Sequence, residues 1–331
     1  MADTHSVLIV GEVTDGQLDD TTKELLAHGR QVADDLQGQL AVAILGTSFG
    51  QLPEEAIALG ADKVYTVTDP LLQEYQVDAY TEAITNLARE QTPAVILLGK
   101  TSMGSEVGPR VAFRLDTGLA QDCLELRVDS ADKRLIATRP VFGGSCIATV
   151  SCSSEPMMAV LRSKTLEPLT PDSNRQGEVV AVNCNLDASI LKNKLVERVE
   201  EAQEGLQLED ARIVVSGGRG LGGPEPFFGE LQELADILGA AVGATRAVVD
   251  VGWVPYSYQV GLTGKTITPD LYITVGISGA SQHMAGCTGS KVIVAINKDS
   301  EANIFQEARY GVAGDWKTVL PAFVQQLREI L

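Results

Sequence analysis

The chain is poor in the side chains that carry most protein chemistry. Its 331 residues include three histidines (His5, His28 and His283), two tryptophans and five cysteines. Cys123, Cys146, Cys152, Cys184 and Cys287 form no C-x-x-C pair. A zinc site of the usual Cys/His kind is therefore not expected. The same scatter points to reduced thiols and a cytoplasmic protein, with a Cys146–Cys152 bridge left open. No apolar run approaches the roughly 20 residues that span a bilayer. Residues 1–6 are polar and the run at 7–10 is too short for a signal peptide, so no membrane insertion is expected. Cations are scarce: 26 Lys and Arg face 44 Asp and Glu, for a net charge of −18. Nucleic acid and anionic membranes both need a basic face, so neither is an expected partner. An anionic ligand would have to be met by a local cationic patch set against the overall field. No nucleophile–base pair and no paired carboxylates stand out.

What is present describes a globular α/β protein. The composition is 44% hydrophobic and 21% charged, and 331 residues suit two domains better than one. In the first half, short apolar runs at 6–13, 40–46, 63–67 and 94–99 alternate with helical spacing at 21–36, 53–59, 77–90 and 106–115. That alternation predicts a parallel sheet covered on both faces. From Cys123 the runs 124–128, 135–141, 147–152 and 158–161 have little helix between them. They are expected to add antiparallel strands at the sheet edge. Residues 163–177 suit a loop or crossover, 178–183 another strand, and 191–204 either a helix or a strand. The junction is expected near Gly205 to Leu208, giving domains 1–206 and 207–331.

The last third alternates again. Strands are expected at 213–216, 247–251, 271–276 and 292–297, and helices at 227–239, 278–285, 303–310 and 316–331. This is a second doubly wound domain, Rossmann-like in its order of elements.

Three turns in that domain invite a ligand. The first is Gly217-Gly218-Arg219-Gly220-Leu221-Gly222-Gly223, between a strand and a helix. Residues 218–223 fit G-x-G-x-x-G, and free amides at such a turn can hold a phosphate. A NAD fold would place an acid after the next strand, whereas this chain has Thr245-Arg246. The ligand is then a 2′-phosphorylated dinucleotide, as in an NADP-dependent oxidoreductase, or is not nicotinamide at all. Arg219, set among glycines, can pair with a diphosphate. The second turn is Gln259-Val260-Gly261-Leu262-Thr263-Gly264-Lys265, which lacks the first glycine of a P-loop. It can bring backbone close to a flat ligand. The third is Ser278-Gly279-Ala280-Ser281-Gln282-His283, where small residues open a helix. Asn297 lies at a strand end and Asp315 at an N-cap position. In the first domain, Gly99-Lys100-Thr101-Ser102 suits either an anion site or an empty relic of a nucleotide fold, the latter preferred.

Taken together, VSGGRG at 215–220, VGATRAVVDVGWVP at 242–255, QVGLTGK at 259–265, ITVGISGASQH at 273–283, AINKD at 295–299 and IFQEARYG at 304–311 resemble the α subunit of an electron-transfer flavoprotein. PRVAFRLDTG at 109–118 extends the likeness into the first domain. The resemblance implies FAD held by the C-terminal domain, a heterodimer with a β subunit, and no cofactor in the first domain. It implies flavin dehydrogenases as electron donors and a quinone reductase or another acceptor downstream. Carried over by motif, the FAD contacts would be Arg219, Thr245, Arg246, Gln259, Val260, Gly261, Leu262, Thr263, Ser278, Gly279, Ala280, Ser281, Gln282, His283, Asn297, Asp315 and Trp316. Thr263 would bond the flavin N5, His283 would face the N1–C2=O2 edge, and Arg246 would sit near the ring system. Reduction puts negative charge on that edge, and a hydrogen bond to a charged group contributes roughly 1.5–3 kcal/mol. At about 1.4 kcal/mol per 59 mV, that moves a one-electron potential by roughly 60–130 mV. The family more commonly carries Gln where this chain has Leu262.

Overall fold

The computed structural model describes residues 5–144, 146–193, 195–197 and 206–330. The chain forms two compact units, Met1–Val141 with Cys146–Arg198, and Phe142–Ser145 with Val199–Leu331.

The first unit begins with β1 (Val7–Gly11), a small hairpin of β2 (Val13–Thr14) and β3 (Gln17–Leu18), and α1 (Asp20–Leu36). Asp19 caps α1, accepting from the Thr21 amide at 2.9 Å. There follow β4 (Leu40–Gly46), α2 (Leu52–Ala58), β5 (Lys63–Thr68), α3 (Val77–Gln91), β6 (Val95–Gly99) and α4 (Ser102–Arg114). After them come β7 (Leu119–Cys123), β8 (Glu125–Val128), β9 (Leu135–Val141), β10 (Cys146–Ser151), β11 (Met157–Leu161) and β12 (Glu178–Asn183). The main sheet runs β12-β5-β4-β1-β6-β11-β7, with every pairing parallel. One apolar layer packs α1 and α2 on one face, and another packs α3 and α4 on the opposite face.

The expectation of an antiparallel edge is corrected here. β11 is a buried parallel strand between β6 and β7. All five of its side chains are buried, which is why its sequence, Met-Met-Ala-Val-Leu, shows no alternation. β8, β9 and β10 do pair antiparallel, but in a three-stranded sheet of their own. The segment 163–177 is a crossover that delivers β12 to the far edge of the main sheet beside β5. β7 was not expected, because its sequence is half polar. Its Asp122, at φ +60°, is engaged by the Lys100 ammonium at 2.7 Å and by both nitrogens of an Arg162 fork. Lys100, the cation of the turn at 99–102, is thus spent on a carboxylate of its own unit. Thr101 caps α4 and donates to Glu12 at 2.6 Å.

The second unit is built from β13 (Ile213–Gly217), α5 (Glu225–Phe228), α6 (Glu230–Leu238), β14 (Ala241–Thr245), α7 (Arg246–Val249), β15 (Gln259–Val260) and β16 (Leu271–Val275). It closes with α8 (Ser281–Met284), β17 (Val292–Asn297), α9 (Ile304–Glu307), β18 (Tyr310–Ala313) and α10 (Trp316–Ile330). Its parallel sheet runs β15-β14-β13-β16-β17-β18, the doubly wound order 3-2-1-4-5-6. Successive strand residues point to opposite faces. Val214, Tyr272 and Ala295 therefore join one core, and Val215, Ile273, Ile296, Trp316 and Leu320 the other.

Three element assignments change in this unit. Residues 247–251 are not a strand: the chain turns helical at Arg246, and the strand lies before it as β14. Its small residues concealed it. A Cβ on Gly243 would come within 2.4 Å of Ser216 Oγ, which would have to turn aside for it. The helix expected at 227–239 is two helices, broken at Gly229. The helix expected at 303–310 stops at Glu307, and the edge strand β18 follows it. Residues 191–193 and 195–197 form neither helix nor strand. The remainder of 191–204, and Gly205 at the expected junction, lie outside the described residues. Among the described residues no helix is long and apolar enough to cross a membrane, and no cluster of ligating side chains could hold a metal. All five thiols are free, Cys146 and Cys152 included.

Candidate functional site

In the second unit the strand order reverses between β13 and β16, and the chain leaves these two strands in opposite directions. A crevice opens at such a point, beyond the carboxyl ends of the strands. Here it is a cleft of about 860 Å³. Its lining comes from five strand ends: 218–220 after β13, Thr245 and Arg246 after β14, Val260–Thr263 after β15, 276–278 after β16, and Asn297 after β17.

Bare backbone forms the floor. A Cβ on Gly218 would stand 2.2 Å from the Gly276 carbonyl oxygen, and one on Gly220 would stand 2.8 Å from Gly276 Cα. Gly276 itself has φ +66° and would place a Cβ 2.9 Å from Gly220. The turns after β13 and β16 thus interlock glycine against glycine, fastened by the Gly220 amide donating to Gly276 O at 3.1 Å. Arg219 stands exposed between these glycines and lines the cleft. The helical turn that follows is a short 3-10 segment, Arg219–Leu221, ahead of α5.

The second turn packs on the third. The Leu262 amide donates to Gln282 O at 2.7 Å, and the Ile267 amide to Gly286 O at 2.7 Å. Gly261, at φ +143°, and Gly286 allow this contact, since a Cβ on Gly286 would meet Gly261 Cα at 2.5 Å. Thr263 Oγ1 accepts from the Gln259 amide group at 3.1 Å, and the Thr263 carbonyl accepts from Tyr256 at 2.6 Å. Leu262 is 65% exposed at the cleft, an apolar side chain open to solvent.

His283 is buried. Its Nδ1 lies 3.1 Å from the Val260 carbonyl and its Nε2 lies 2.9 Å from the Tyr272 hydroxyl. Burial lowers its pKa to about 4, so the ring is neutral at physiological pH. Both nitrogens are engaged inside the protein, and neither offers its hydrogen to the cleft. Arg246 is exposed and pairs at 3.4 Å with Asp250 one helical turn on. Asn297 braces the cleft wall: its amide nitrogen donates to Ile277 O at 2.8 Å, and its oxygen accepts from the Asp299 amide at 3.0 Å.

Most of the residues singled out from sequence meet here: Arg219, Thr245, Arg246, Val260, Gly261, Leu262, Thr263, Ser278, Ala280, Gln282, His283 and Asn297 all line the cleft. Five do not. Gln259 is buried behind the loop, holding Thr263. Gly279, at φ +79°, turns the chain against α9. Ser281 opens α8. Asp315 caps α10 through the Lys317 amide at 3.0 Å, and Trp316 is 8% exposed in the core. Sequence reasoning missed Asp250, Asp299, Glu301 and Asn303, which also line the cleft. Three of them continue the chain past Asn297, a strand end already singled out, and that position was the available signal.

Residues 7–186 match the family described as the electron transfer flavoprotein domain, and residues 207–288 match its FAD-binding domain. The chain belongs to the electron transfer flavoprotein α-subunit family. It is 41% identical over 331 residues to the electron transfer flavoprotein subunit alpha of Thermoanaerobacterium thermosaccharolyticum, covering 100% of both chains. It is 41% identical to the subunit alpha of Megasphaera elsdenii, covering 99% of this chain and 98% of that one. It is 36% identical to the acryloyl-CoA reductase electron transfer subunit beta of Anaerotignum propionicum, covering 98% and 96%.

The cofactor of the family's α subunit is FAD, and the residues present suit it. The interlocked glycines leave a floor on which a ligand can approach the backbone. Arg219 and Arg246 line the cleft as exposed cations, which suits a ligand that carries a diphosphate.

Proposed function

We propose that this chain holds FAD in the cleft of its second unit and, paired with a β subunit, shuttles single electrons from acyl-CoA-type dehydrogenases to a downstream acceptor such as a quinone reductase. The interlock of Gly218, Gly220 and Gly276 carries this reading, because it builds a side-chain-free ledge beside an arginine at the sheet's switch point. Bound FAD supplies the one-electron chemistry. The protein's part is to bind and orient it. Arg219 answers the diphosphate, with Ser278 and the 276–278 turn beside it. Thr263 stands to meet N5, its hydroxyl oriented by Gln259. Arg246, tethered to Asp250, supplies positive charge near the ring system. Leu262 keeps water from the ligand without adding a hydrogen bond. The name of the Anaerotignum propionicum relative, an electron transfer subunit of an acryloyl-CoA reductase, supports an acyl-CoA-type redox partner. Five free thiols support a cytoplasmic place of work.

The test is electron transfer by the chain co-purified with its β subunit. A reduced acyl-CoA dehydrogenase should reoxidise on mixing with the pair, with the pair's flavin reduced in step. A pair that takes electrons only from NADPH at this cleft would replace the reading with an NADP-dependent oxidoreductase.

A further inference from the structure

A buried hydrogen-bonded chain runs behind the cleft. Tyr272, on β16, is fully enclosed, and its hydroxyl lies 2.9 Å from His283 Nε2. On the other side of the ring, Nδ1 lies 3.1 Å from Val260 O. A carbonyl can only accept, so the ring proton belongs on Nδ1. Nε2 is then a bare acceptor, and the Tyr272 O–H must donate to it. Ser216, on the neighbouring strand, lies close to the same hydroxyl. Its own Oγ makes no well-formed hydrogen bond, which leaves Nε2 as the good acceptor for Tyr272. The titratable neighbours are neutral: burial raises Tyr272, and Cys287, whose Sγ donates to His283 O, is pushed up to about 12.

We propose that Tyr272 is a positioning residue of the cleft: its hydroxyl fixes the His283 ring as the Nδ1–H tautomer, and the ring in turn pins the Val260 carbonyl and the ligand-facing loop 260–263 to α8. The proposal rests on the reading of the cleft as the FAD site. The flanking backbone bonds, Leu262 to Gln282 and Ile267 to Gly286, close the loop on both sides of the cleft wall. The ring is the side-chain link at Val260, where the loop leaves the sheet. A ring held this way turns both nitrogens inward. Loop 260–263 then keeps one shape before and after a ligand arrives, and Thr263 is delivered to its place without ordering the loop anew.

Long-range ¹H–¹⁵N spectra of the full chain, labelled in histidine and carrying FAD, test the proposal. The wild type should show His283 protonated at Nδ1, with Nε2 shifted as a hydrogen-bonded imine. In Tyr272→Phe, Nε2 should move to the position of an unbonded imine, and the FAD dissociation constant should rise about 2- to 10-fold, the worth of one neutral hydrogen bond. A wild-type ring protonated at Nε2 overturns the proposal, as does a Tyr272→Phe variant with Nε2 and affinity unmoved. Should Tyr272→Phe not fold, fluorotyrosine incorporation keeps the ring's shape and strengthens the donor. It should move Nε2 further toward the protonated position, and an unmoved resonance overturns the proposal. If the wild type takes up no FAD, the flavin reading fails while the ring spectrum still decides the tautomer.

Discussion

Gly218→Ala probes the cleft floor with a single carbon. The backbone at Gly218 is extended, at φ −111°, so alanine costs no dihedral strain there. The whole cost is steric. The new Cβ would meet Gly276 O at 2.2 Å, Gly276 C at 2.8 Å and Ile277 Cα at 2.9 Å. All three are backbone atoms and cannot swing aside. The turn after β13 must move off the turn after β16 by about 1 Å to reach ordinary contact. Overpacking of this kind costs about 1–3 kcal/mol, which lowers the melting temperature of a unit this size by roughly 5–15 °C. Where the same strain opposes the FAD-bound form, each 1.4 kcal/mol is tenfold in affinity, so the dissociation constant should rise about 5- to 150-fold. Calorimetry and visible-absorbance titration with FAD measure the two effects. Gly222→Ala is the control. It lies in the same turn at φ +87° with nothing within 4 Å of its Cβ, so it should lose about 1 kcal/mol of stability and keep its FAD. A Gly218→Ala protein with unchanged melting and unchanged FAD affinity would refute the interlock.

Other outcomes follow from single residues. Arg219→Ala should raise the FAD dissociation constant about 10- to 100-fold, the worth of a charge-assisted contact, and should flatten its dependence on salt. Leu262→Gln adds an amide donor at the ligand-facing loop. It should raise the flavin's first reduction potential by about 20–60 mV, and a redox titration giving no rise would show that position 262 does not face the ring. Glu12 is raised to about 7 by burial, only partly offset by its hydrogen bond from Thr101. The folded state therefore keeps its proton to higher pH than the unfolded state. This contribution is full below the unfolded pKa near 4.5 and is lost as pH rises through about 7. Urea unfolding from pH 5 to pH 8 should show wild type losing about 1–3 kcal/mol relative to Glu12→Gln, and parallel curves would contradict it.

The parallel strands were legible where burial on both faces left unbroken apolar runs, as in Leu40–Gly46 and Val292–Asn297, whose bounds match the expectation. Met157–Leu161 was found but misplaced. Its neighbours alternate, and it was grouped with them, although its own run is the signature of a doubly covered strand. β14 and β7 were hidden for opposite reasons. The first is made of small residues that form no clear apolar run, and the second is half polar because Asp122 serves Lys100 and Arg162. Most of the cleft could be located from its glycines and strand-end residues. Local sequence does not record that Gly218 faces Gly276 across the switch point, or that Tyr272 reaches His283 from a neighbouring element. Those facts belong to the strand order. Asp315 was assigned both to a cap and to the site, and the structure uses it as a cap.

FAD content of the chain purified with its β subunit, read by visible absorbance before and after the Arg219→Ala and Gly218→Ala changes, tests the central claim most directly. The account predicts a yellow protein with FAD seated in the second unit, its occupancy falling in both variants while the fold persists. A colourless wild-type pair that binds NADPH, or a flavin indifferent to both substitutions, would contradict it.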